Sequence, residues 1–251
     1  MPAPPNLPAA LFLHAGSRPD EPWLFRAEGW DWRWHSWGEI AREVLARAES
    51  LSAYAAGSRV TFAYEPRPEA IVFDLAIQAA GLVAEPRSGP PFETSPSGLG
   101  GEGAGGAVVI RNGETVELSA TDLIALADKV QEMIQPSGER QIIVLGGSLE
   151  DPDERAMLSW ATLAGTAVVL EPNPALRVAA VAWVRPTVFH GTAAELAALK
   201  SCVERERSGW LRRSPRLPFR RLRTILVAGY EALAEKERAF WEGRGVRVAR
   251  I

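Results

Sequence analysis

Apolar and polar residues follow two different periods along the first ninety residues, which predicts strands alternating with helices. Short runs of aromatic and branched residues have the two-residue alternation of strands, and longer runs repeat apolar residues every three or four positions. The predicted elements are strands at 23–25, 30–34, 59–64 and 82–84 and helices at 37–54 and 68–80. This order favours one parallel sheet with right-handed crossovers.

The same pattern resumes after residue 106 and continues to the end of the sequence. Asn112-Gly113 separates two strand-like runs and predicts a tight hairpin turn. The predicted elements are strands at 107–110, 115–118, 142–145, 167–170, 187–190, 223–227 and 246–248, helices at 121–134, 153–164, 193–203 and 232–242, and a short element at 178–184. Together the two halves predict an α/β fold with layered, mostly parallel sheets flanked by helices.

The segment between the two halves has little to bury. Residues 87–106 include three prolines and seven glycines, which is typical of a linker or a surface loop. The segment lacks the lysine of a phosphate-binding GxxxxGK[ST] motif and the spacing of a GxGxxG motif. We therefore predict a first subdomain at 1–86, a linker at 87–106 and a second subdomain at 107–251, which together form one domain.

Four segments resemble, in the correct order, the adenylate-forming family of acyl-CoA synthetases, luciferases and peptide-synthetase adenylation domains. They are residues 32–86, 119–130, 153–191 and 219–248. The third segment is similar to the family's "ER…LLAGATVV…RPTVF.GVP" pattern, and the fourth to its "LRLILSGGAPLSPEL…FFRERGVRV" pattern. The resemblance is closest to the long-chain fatty acyl branch, and it implies the fold of the family's large N-terminal domain.

The resemblance also implies that part of the family's chemistry is missing. The family's phosphate-binding loop, "TSGTTGxPKG", falls between the strands matched by 107–110 and 115–118. Here that gap holds only Arg111, Asn112, Gly113 and Glu114. Four residues offer too few backbone N–H groups to surround a triphosphate, and Glu114 would repel it. The family's "YGxTE" element, ribose-binding aspartate and C-terminal domain with its catalytic lysine would follow residue 251, so we expect a truncated, degenerate member.

The resemblance places four more residues at a vestigial nucleotide or acyl cleft. His190 and Gly191 match the lining of the family's acyl pocket, and Gly229 and Tyr230 match a "GGAP" turn beside the adenine ring. Tyr230 replaces a glycine and is expected to fill the former cleft. His190 is either a pocket residue or general base, or a structural histidine bonded to a backbone carbonyl. We favour the structural role because no nucleophile motif accompanies it.

Composition and charge narrow the possible partners, cofactors and cellular location of the protein. The formal net charge is −3 and argues against nucleic acid as a partner, although residues 205–223 contain eight arginines. Cys202 is the one cysteine, so we expect no disulfide and a cytoplasmic protein. No pair of histidines has metal-ligand spacing, and we expect neither a metal nor a cofactor. No apolar run is long enough for a membrane helix.

Three functions remain open at this stage. The first is a non-catalytic adenylation-like domain, or pseudoenzyme, that acts as a structural or regulatory protein-binding subunit. The second is one half of a split acyl-CoA ligase that a partner chain completes, in which case the chain is an enzyme only with that partner. The third is an acyl-chain or acyl-CoA binder. The dense tryptophans between residues 23 and 37 favour a protein interface, so we expect a partner or self-association.

Overall fold

A computed structural model describes residues 4–28, 31–88, 95–97, 105–136, 138–208, 218–228 and 233–251, with backbone only at 95–97, 205–208 and 218. The helices are α1 (Leu7–Ser17), α2 (Trp37–Ser50), α3 (Pro68–Ala79), α4 (Ala120–Met133), α5 (Pro152–Ala164), α6 (Pro174–Val184), α7 (Ala193–Ser208) and α8 (Glu235–Glu242). The strands are β1 (Pro22–Glu28), β2 (Asp31–Ser36), β3 (Arg59–Ala63), β4 (Val83–Arg87), β5 (Ser95–Ser97), β6 (Gly106–Arg111), β7 (Glu114–Ser119), β8 (Ile142–Leu145), β9 (Ala167–Leu170), β10 (Val188–Gly191), β11 (Thr224–Val227) and β12 (Arg247–Arg250).

The strands form two sheets, and most neighbours in the larger one are parallel. Its order is β12-β11-β10-β8-β9-β1-β2, with β2 antiparallel to β1 at one edge. The smaller sheet has the order β5-β3-β4-β6-β7, in which β3, β4 and β6 are parallel. The predicted fold class of mostly parallel, helix-flanked sheets is confirmed.

The prediction of one parallel sheet for the first ninety residues is wrong. β3 and β4 are parallel neighbours as expected, but β1 pairs with β9, far along the chain. In turn β6, which follows the predicted linker, pairs with β4, which precedes it. Each sheet therefore contains strands from before and from after residues 87–106. The division into two subdomains stays a prediction.

Two cores cover the two faces of the larger sheet. One core joins α1 to α5 with both sheets, and it includes a stacked pair of fully buried indoles, Trp23 and Trp37, with ring centroids 4.2 Å apart. The other core joins α6, α7 and α8 to the opposite face, where Val144, Phe189 and Ile225 lie. Successive strand residues alternate between these cores because side chains of a strand point to opposite faces.

Two helices differ from the sequence prediction. The N-terminal helix α1 was not predicted, although Asn6 accepts the N–H of Ala9 at 2.8 Å and Pro8 lies in the first turn. The short element predicted at 178–184 is a helix of 11 residues that starts at Pro174, with Asn173 as its N-cap. In both cases a proline lies in the first helical turn, where its missing N–H costs no helical hydrogen bond.

Candidate functional site

The carboxyl ends of β8, β9 and β10 meet at one edge of the larger sheet. β8 is followed by Gly146 and Gly147, β9 by Glu171, and β10 ends at Gly191. Open parallel sheets bind ligands at this edge, because the strand ends and the following helix N-termini converge there. Any site inherited with the fold is therefore expected at this edge.

The β6–β7 hairpin carries the residues at the predicted phosphate-loop position. Its antiparallel pairing runs unbroken from Gly106↔Ser119 to Arg111↔Glu114, which leaves only Asn112 and Gly113 in the turn. Both turn residues have positive φ, 52° for Asn112 and 81° for Gly113. Positive φ at both positions is the signature of a type I′ turn, so the predicted tight hairpin is confirmed.

Replacing Gly113 with alanine is expected to lower the free energy of unfolding by about 1–2 kcal/mol, because a Cβ is disfavoured at positive φ. No atom lies within 4 Å of the added Cβ, so the cost comes from the backbone alone. Gly138→Ala is the matched control, since its Cβ also meets open space and its φ is not positive. Urea denaturation of both variants tests this, and equal stabilities would contradict the type I′ assignment.

A cleft of about 460 Å³ lies beside the hairpin turn. Arg111 and Asn112 line one side of it, together with Arg250 from β12. Three carboxylates also line the cleft: Glu150 and Asp151 in the loop that leads into α5, and Asp153 in the first turn of α5. The cleft thus has walls of mixed charge, with more acidic than basic groups.

Glu150 fixes the acidic wall to the smaller sheet. Its carboxylate accepts hydrogen bonds from the backbone N–H and the hydroxyl of Ser88, at 2.9 and 2.6 Å. Its backbone carbonyl accepts the N–H of Ile110 at 2.7 Å. Because these contacts come from the ends of β4 and β6, the acidic wall and the hairpin form one fixed unit.

His190 forms a buried ion pair at the strand-end edge. Its side chain is 2% exposed, and Nδ1 lies 3.2 Å from Oε1 of Glu154 in the first turn of α5. Burial by itself lowers the pKa of His190, but the Glu154 carboxylate outweighs burial and raises this pKa above its ordinary value. Burial by itself raises the pKa of Glu154, but the charges of His190 and Arg177 lower it below its ordinary value. The expectation that His190 bonds to a backbone carbonyl is wrong, because its partner is this carboxylate.

A second buried ion pair lies at the same edge. Arg177 of α6 and Glu195 of α7 are 8% and 5% exposed, and their Nη2 and Oε1 atoms are 2.7 Å apart. Oε2 of Glu195 also accepts the backbone N–H of Thr192 at 2.9 Å, which ties the pair to the start of α7. Charged side chains of the chain itself thus occupy the strand ends where a ligand would contact this fold.

Two glycines after β8 make room for these charged groups. A Cβ on Gly146 would lie 2.6 Å from Nη1 of Arg177, and a Cβ on Gly147 would lie 2.6 Å from Oε1 of Glu154. The atom nearest to a Cβ on Gly146 would be the backbone carbonyl oxygen of Glu171, so a side chain at either position requires the backbone or these buried groups to shift. The Gly-Gly pair therefore allows the two ion pairs to pack directly over the end of β8.

The predicted site residues fall into three groups. Arg111 and Asn112 line the cleft, and Gly113 and Glu114 complete the turn and begin β7. His190 and Gly191 lie buried at the end of β10 and are not among the cleft-lining residues. Gly229 and Tyr230, with the expectation that Tyr230 fills the cleft, lie outside the described residues.

Sequence reasoning missed three members of the two ion pairs: Glu154, Arg177 and Glu195. Glu154 and Glu195 stand in the first turns of helices, where acidic residues are ordinarily read as favourable to the helix dipole. Arg177 is the only charged residue in an otherwise apolar helix, and this contrast is the signal that was available.

The described ranges contain no group of three or more His, Cys, Asp or Glu side chains placed to hold a metal ion. Among the helices in these ranges, none combines the length and the apolar character that a membrane crossing requires.

Solved structures with the same topology place the chain among known folds. A nonribosomal peptide synthetase, FmoA3 with bound AMPPNP, matches with a TM-score of 0.77 and 16% sequence identity. The match covers 100% of this chain and 32% of the FmoA3 chain. The fatty acyl-adenylate ligase from L. pneumophila, in complex with acyl adenylate and pyrophosphate, matches with a TM-score of 0.72 and 14% identity over 97% and 53%. The chain has the fold of the N-terminal domain of adenylate-forming enzymes.

This adenylation-like fold also matches CmiS6, with a TM-score of 0.71 and 17% identity over 100% of this chain and 72% of that one. No protein-family model matches the sequence, and a search of curated proteins finds no match. The predicted resemblance is therefore confirmed in the fold, at an identity too low to transfer a substrate.

Proposed function

We propose that this adenylation-like domain does not form acyl-adenylates by itself and acts by binding another protein chain. The β6–β7 turn carries the proposal. At the position of the family's phosphate-binding loop, the ladder runs unbroken to Arg111↔Glu114, so Asn112 and Gly113 are the only residues outside it. A phosphate loop needs several consecutive N–H groups directed at one anion, and a two-residue turn provides too few.

The charges around the turn support the same conclusion. A triphosphate placed in the cleft would meet Glu150, Asp151 and Asp153, which line it together with Arg111. Each carboxylate repels the phosphate charges, and the fixed hydrogen bonds of Glu150 to Ser88 oppose its withdrawal. Adenylation depends on electrostatic stabilisation of the transferring phosphate, so this cleft has the wrong sign for the reaction.

The buried ion pairs are a second argument against catalysis by the chain alone. Glu154 pairs with His190, and Glu195 pairs with Arg177, each within hydrogen-bonding distance. A general acid or base must reach the substrate as well as its own partner. Side chains that are 8% exposed or less and neutralise one another serve to hold α5, α6 and α7 to the strand ends.

We expect no ATP–pyrophosphate exchange when the purified chain is supplied with ATP, magnesium and a panel of fatty, aromatic and amino acids. The L. pneumophila fatty acyl-adenylate ligase, assayed in parallel with a fatty acid, is the positive control. An acid-dependent signal that Arg111→Ala lowers would contradict the proposal, because this substitution changes the cleft and leaves both buried pairs in place. Arg42→Ala, an exposed change on α2, is the matched control variant.

The open cleft favours a second candidate, one half of a split adenylating enzyme. A space of about 460 Å³ remains beside the hairpin at the edge where this fold binds ligands. In this case another chain would supply the nucleotide contacts. Native pull-down with mass spectrometry separates the candidates: a partner with a "YGxTE" element that restores exchange favours the split enzyme, and an unrelated partner favours the binding subunit.

A further inference from the structure

The last turn of α1 is fastened to the end of α5 by two side chains, His14 and Arg18. Nε2 of His14 lies 3.2 Å from the backbone carbonyl oxygen of Leu163. Nη2 of Arg18 donates a hydrogen bond to the carbonyl oxygen of Gly165 at 3.1 Å. The last carbonyls of an α-helix have no partner within the helix, so the bond to Leu163 satisfies the end of α5 from outside.

The hydrogen-bond partners of His14 fix the protonation of its ring. The carbonyl of Leu163 can only accept, so Nε2 must carry a proton. Nη2 of Arg18 lies 3.0 Å from Nδ1 and can only donate, so Nδ1 must be the acceptor without a proton. His14 therefore satisfies both partners only as the neutral imidazole. A second proton, on Nδ1, would place two donors and two positive charges against each other.

His14 and Arg18 also contact an aromatic ring of the first core. The ring centroid of His14 lies 4.7 Å from that of Trp37 on α2, and Cζ of Arg18 lies 5.2 Å from the centroid of the same indole. Gly165 permits this packing, because a Cβ at that position would lie 2.9 Å from Cε1 of His14. The two side chains thus join α1 to both α2 and the end of α5.

The loop between α1 and β1 continues these contacts to the start of α2. The carbonyl of Pro19 accepts the N–H of Gly38 at 2.8 Å, and the carbonyl of Glu21 accepts the N–H of Trp37 at 3.1 Å. The carboxylate of Glu21 lies 3.6 Å from the guanidinium of Arg18. The position of the loop, and with it two backbone hydrogen bonds of α2, therefore depends on where Arg18 is held.

We propose that His14 and Arg18 form an acid-sensitive latch, which opens the last turn of α1 and the loop after it when His14 takes up a second proton. Opening moves the two cations apart and into water, where like charges repel less. The opening is local, because Leu7 and Leu11 in the first two turns are fully buried in the first core and hold the rest of the helix. The latch is separate from the proposed function, and its test has a different readout.

The groups around the His14 ring set the direction of the switch. Burial lowers the pKa of His14, the Leu163 carbonyl raises it, the charge of Arg18 lowers it and the Thr162 carbonyl raises it, with a net lowering below 6.5. From α2 the ring is faced by Trp37, which carries no charge. Because opening returns the pKa to its ordinary value, the open state gains population as the pH falls below about 6.5.

Two further charged groups lie behind Arg18. Glu21 pairs with Arg18, and Arg140, which precedes β8, lies 4.0 Å from the same carboxylate. Glu21 is an exposed residue, so its attraction to Arg18 is screened by water. It therefore does not remove the conflict between Arg18 and a protonated His14.

Amide hydrogen exchange, followed by NMR and corrected for the intrinsic effect of pH, tests the latch. We expect the protection of the Arg18, Trp37 and Gly38 amides to fall about three- to ten-fold between about pH 7.5 and about pH 5.0, because opening is coupled to the uptake of one proton. The amides of β8 are the internal reference and are expected to keep their protection. A fall that β8 shares would mean general destabilisation and would overturn the latch.

His14→Gln is the matched variant, because glutamine offers one donor and one acceptor but takes up no proton. We expect it to keep its protection at about pH 5.0, while His35→Gln, on β2, loses protection as the wild type does. Equal protection of the wild type at both pH values, or a fall in His14→Gln as large as that of the wild type, overturns the proposal.

Arg18→Met provides a second test that does not depend on the folding of His14→Gln, and circular dichroism checks that each variant is folded. This substitution removes the group that conflicts with a protonated His14. We expect the Trp37 and Gly38 amides to be less protected than in the wild type at about pH 7.5, and to change less than about twofold on acidification. A fall on acidification as large as that of the wild type would show that Arg18 takes no part in the switch and would overturn the latch.

Discussion

Replacing Arg155 with methionine is expected to lower the free energy of unfolding by about 3–5 kcal/mol. Arg155 on α5 and Asp74 on α3 have fully buried side chains, and Nη1 lies 2.8 and 2.7 Å from the two carboxylate oxygens. Gln78 donates a further hydrogen bond to Asp74 at 2.7 Å. Methionine removes the positive charge and leaves the Asp74 carboxylate buried without it. Urea denaturation, followed by circular dichroism, measures the loss.

Two comparisons separate the buried charge from other causes. Arg59→Met breaks an ion pair with Glu117 in which the side chains are 37% and 33% exposed, and it is expected to cost about 0–1 kcal/mol. The double variant Asp74→Leu with Arg155→Met removes both charges and is expected to recover most of the lost stability. Recovery is favoured because Nε and Nη2 of Arg155 have no hydrogen-bond partners among the described residues. A loss in Arg155→Met as small as that in Arg59→Met would contradict this account.

The elements that sequence reasoning found are those whose signals are local. The helix predicted at 121–134, which is α4, is one example, since Ser119 and Asp122 at its start exchange hydrogen bonds within four residues of each other. Asn112-Gly113 is another, because the turn type depends on the φ angles of these two residues alone. The helix α1 had an equally local signal in Asn6 and Pro8, but it was not predicted.

The sequence did not predict which strands share a sheet. β1 and β9 pair across more than a hundred residues, and nothing in Trp23-Leu24-Phe25 distinguishes β9 from β4 as a partner. The stacked Trp23 and Trp37 join β1 to the same core as Val168 of β9, and this contact exists only in the assembled core. Local pattern therefore predicts strands better than it predicts the order of strands.

The candidate site shows the same difference between local signals, which the sequence reveals, and long-range contacts, which it does not. His190 was singled out because the resemblance places it at the family's acyl pocket, but its partner Glu154 lies 36 residues away on α5. The pairing of Arg177 with Glu195 likewise depends on the positions of α6 and α7 around the strand ends. A resemblance of ordered segments predicted the fold, whereas the pairing of the interior charges required coordinates.

Replacing His190 with glutamine is expected to lower the free energy of unfolding by about 2–3 kcal/mol near pH 6, and by less at alkaline pH. The folded pKa of His190 is raised, so its stabilising contribution is complete below the ordinary pKa of about 6.5 and is lost as the pH rises through the folded pKa. The folded pKa of Glu154 is lowered, so its contribution is present above about 4.5 and is lost as the pH falls through the folded pKa. The pair therefore stabilises the fold most between these two ordinary pKa values.

Other charged groups near the pair shift the pKa values of His190 and Glu154, and so change the pH range over which the pair stabilises the fold. Asp151 and Asp153 raise the pKa of His190, which extends its stabilising range to higher pH, and Arg177 lowers the pKa of Glu154. Thermal or urea unfolding of wild type and His190→Gln from acid to alkaline pH gives the difference as a function of pH. His35→Gln, on the edge strand β2, is the control for a generic effect of losing an imidazole. The account would be contradicted if the difference in unfolding free energy between wild type and His190→Gln stayed constant or grew as the pH rises. In that case His190 would be neutral in the folded protein, and its bond to Glu154 would carry no ionic contribution.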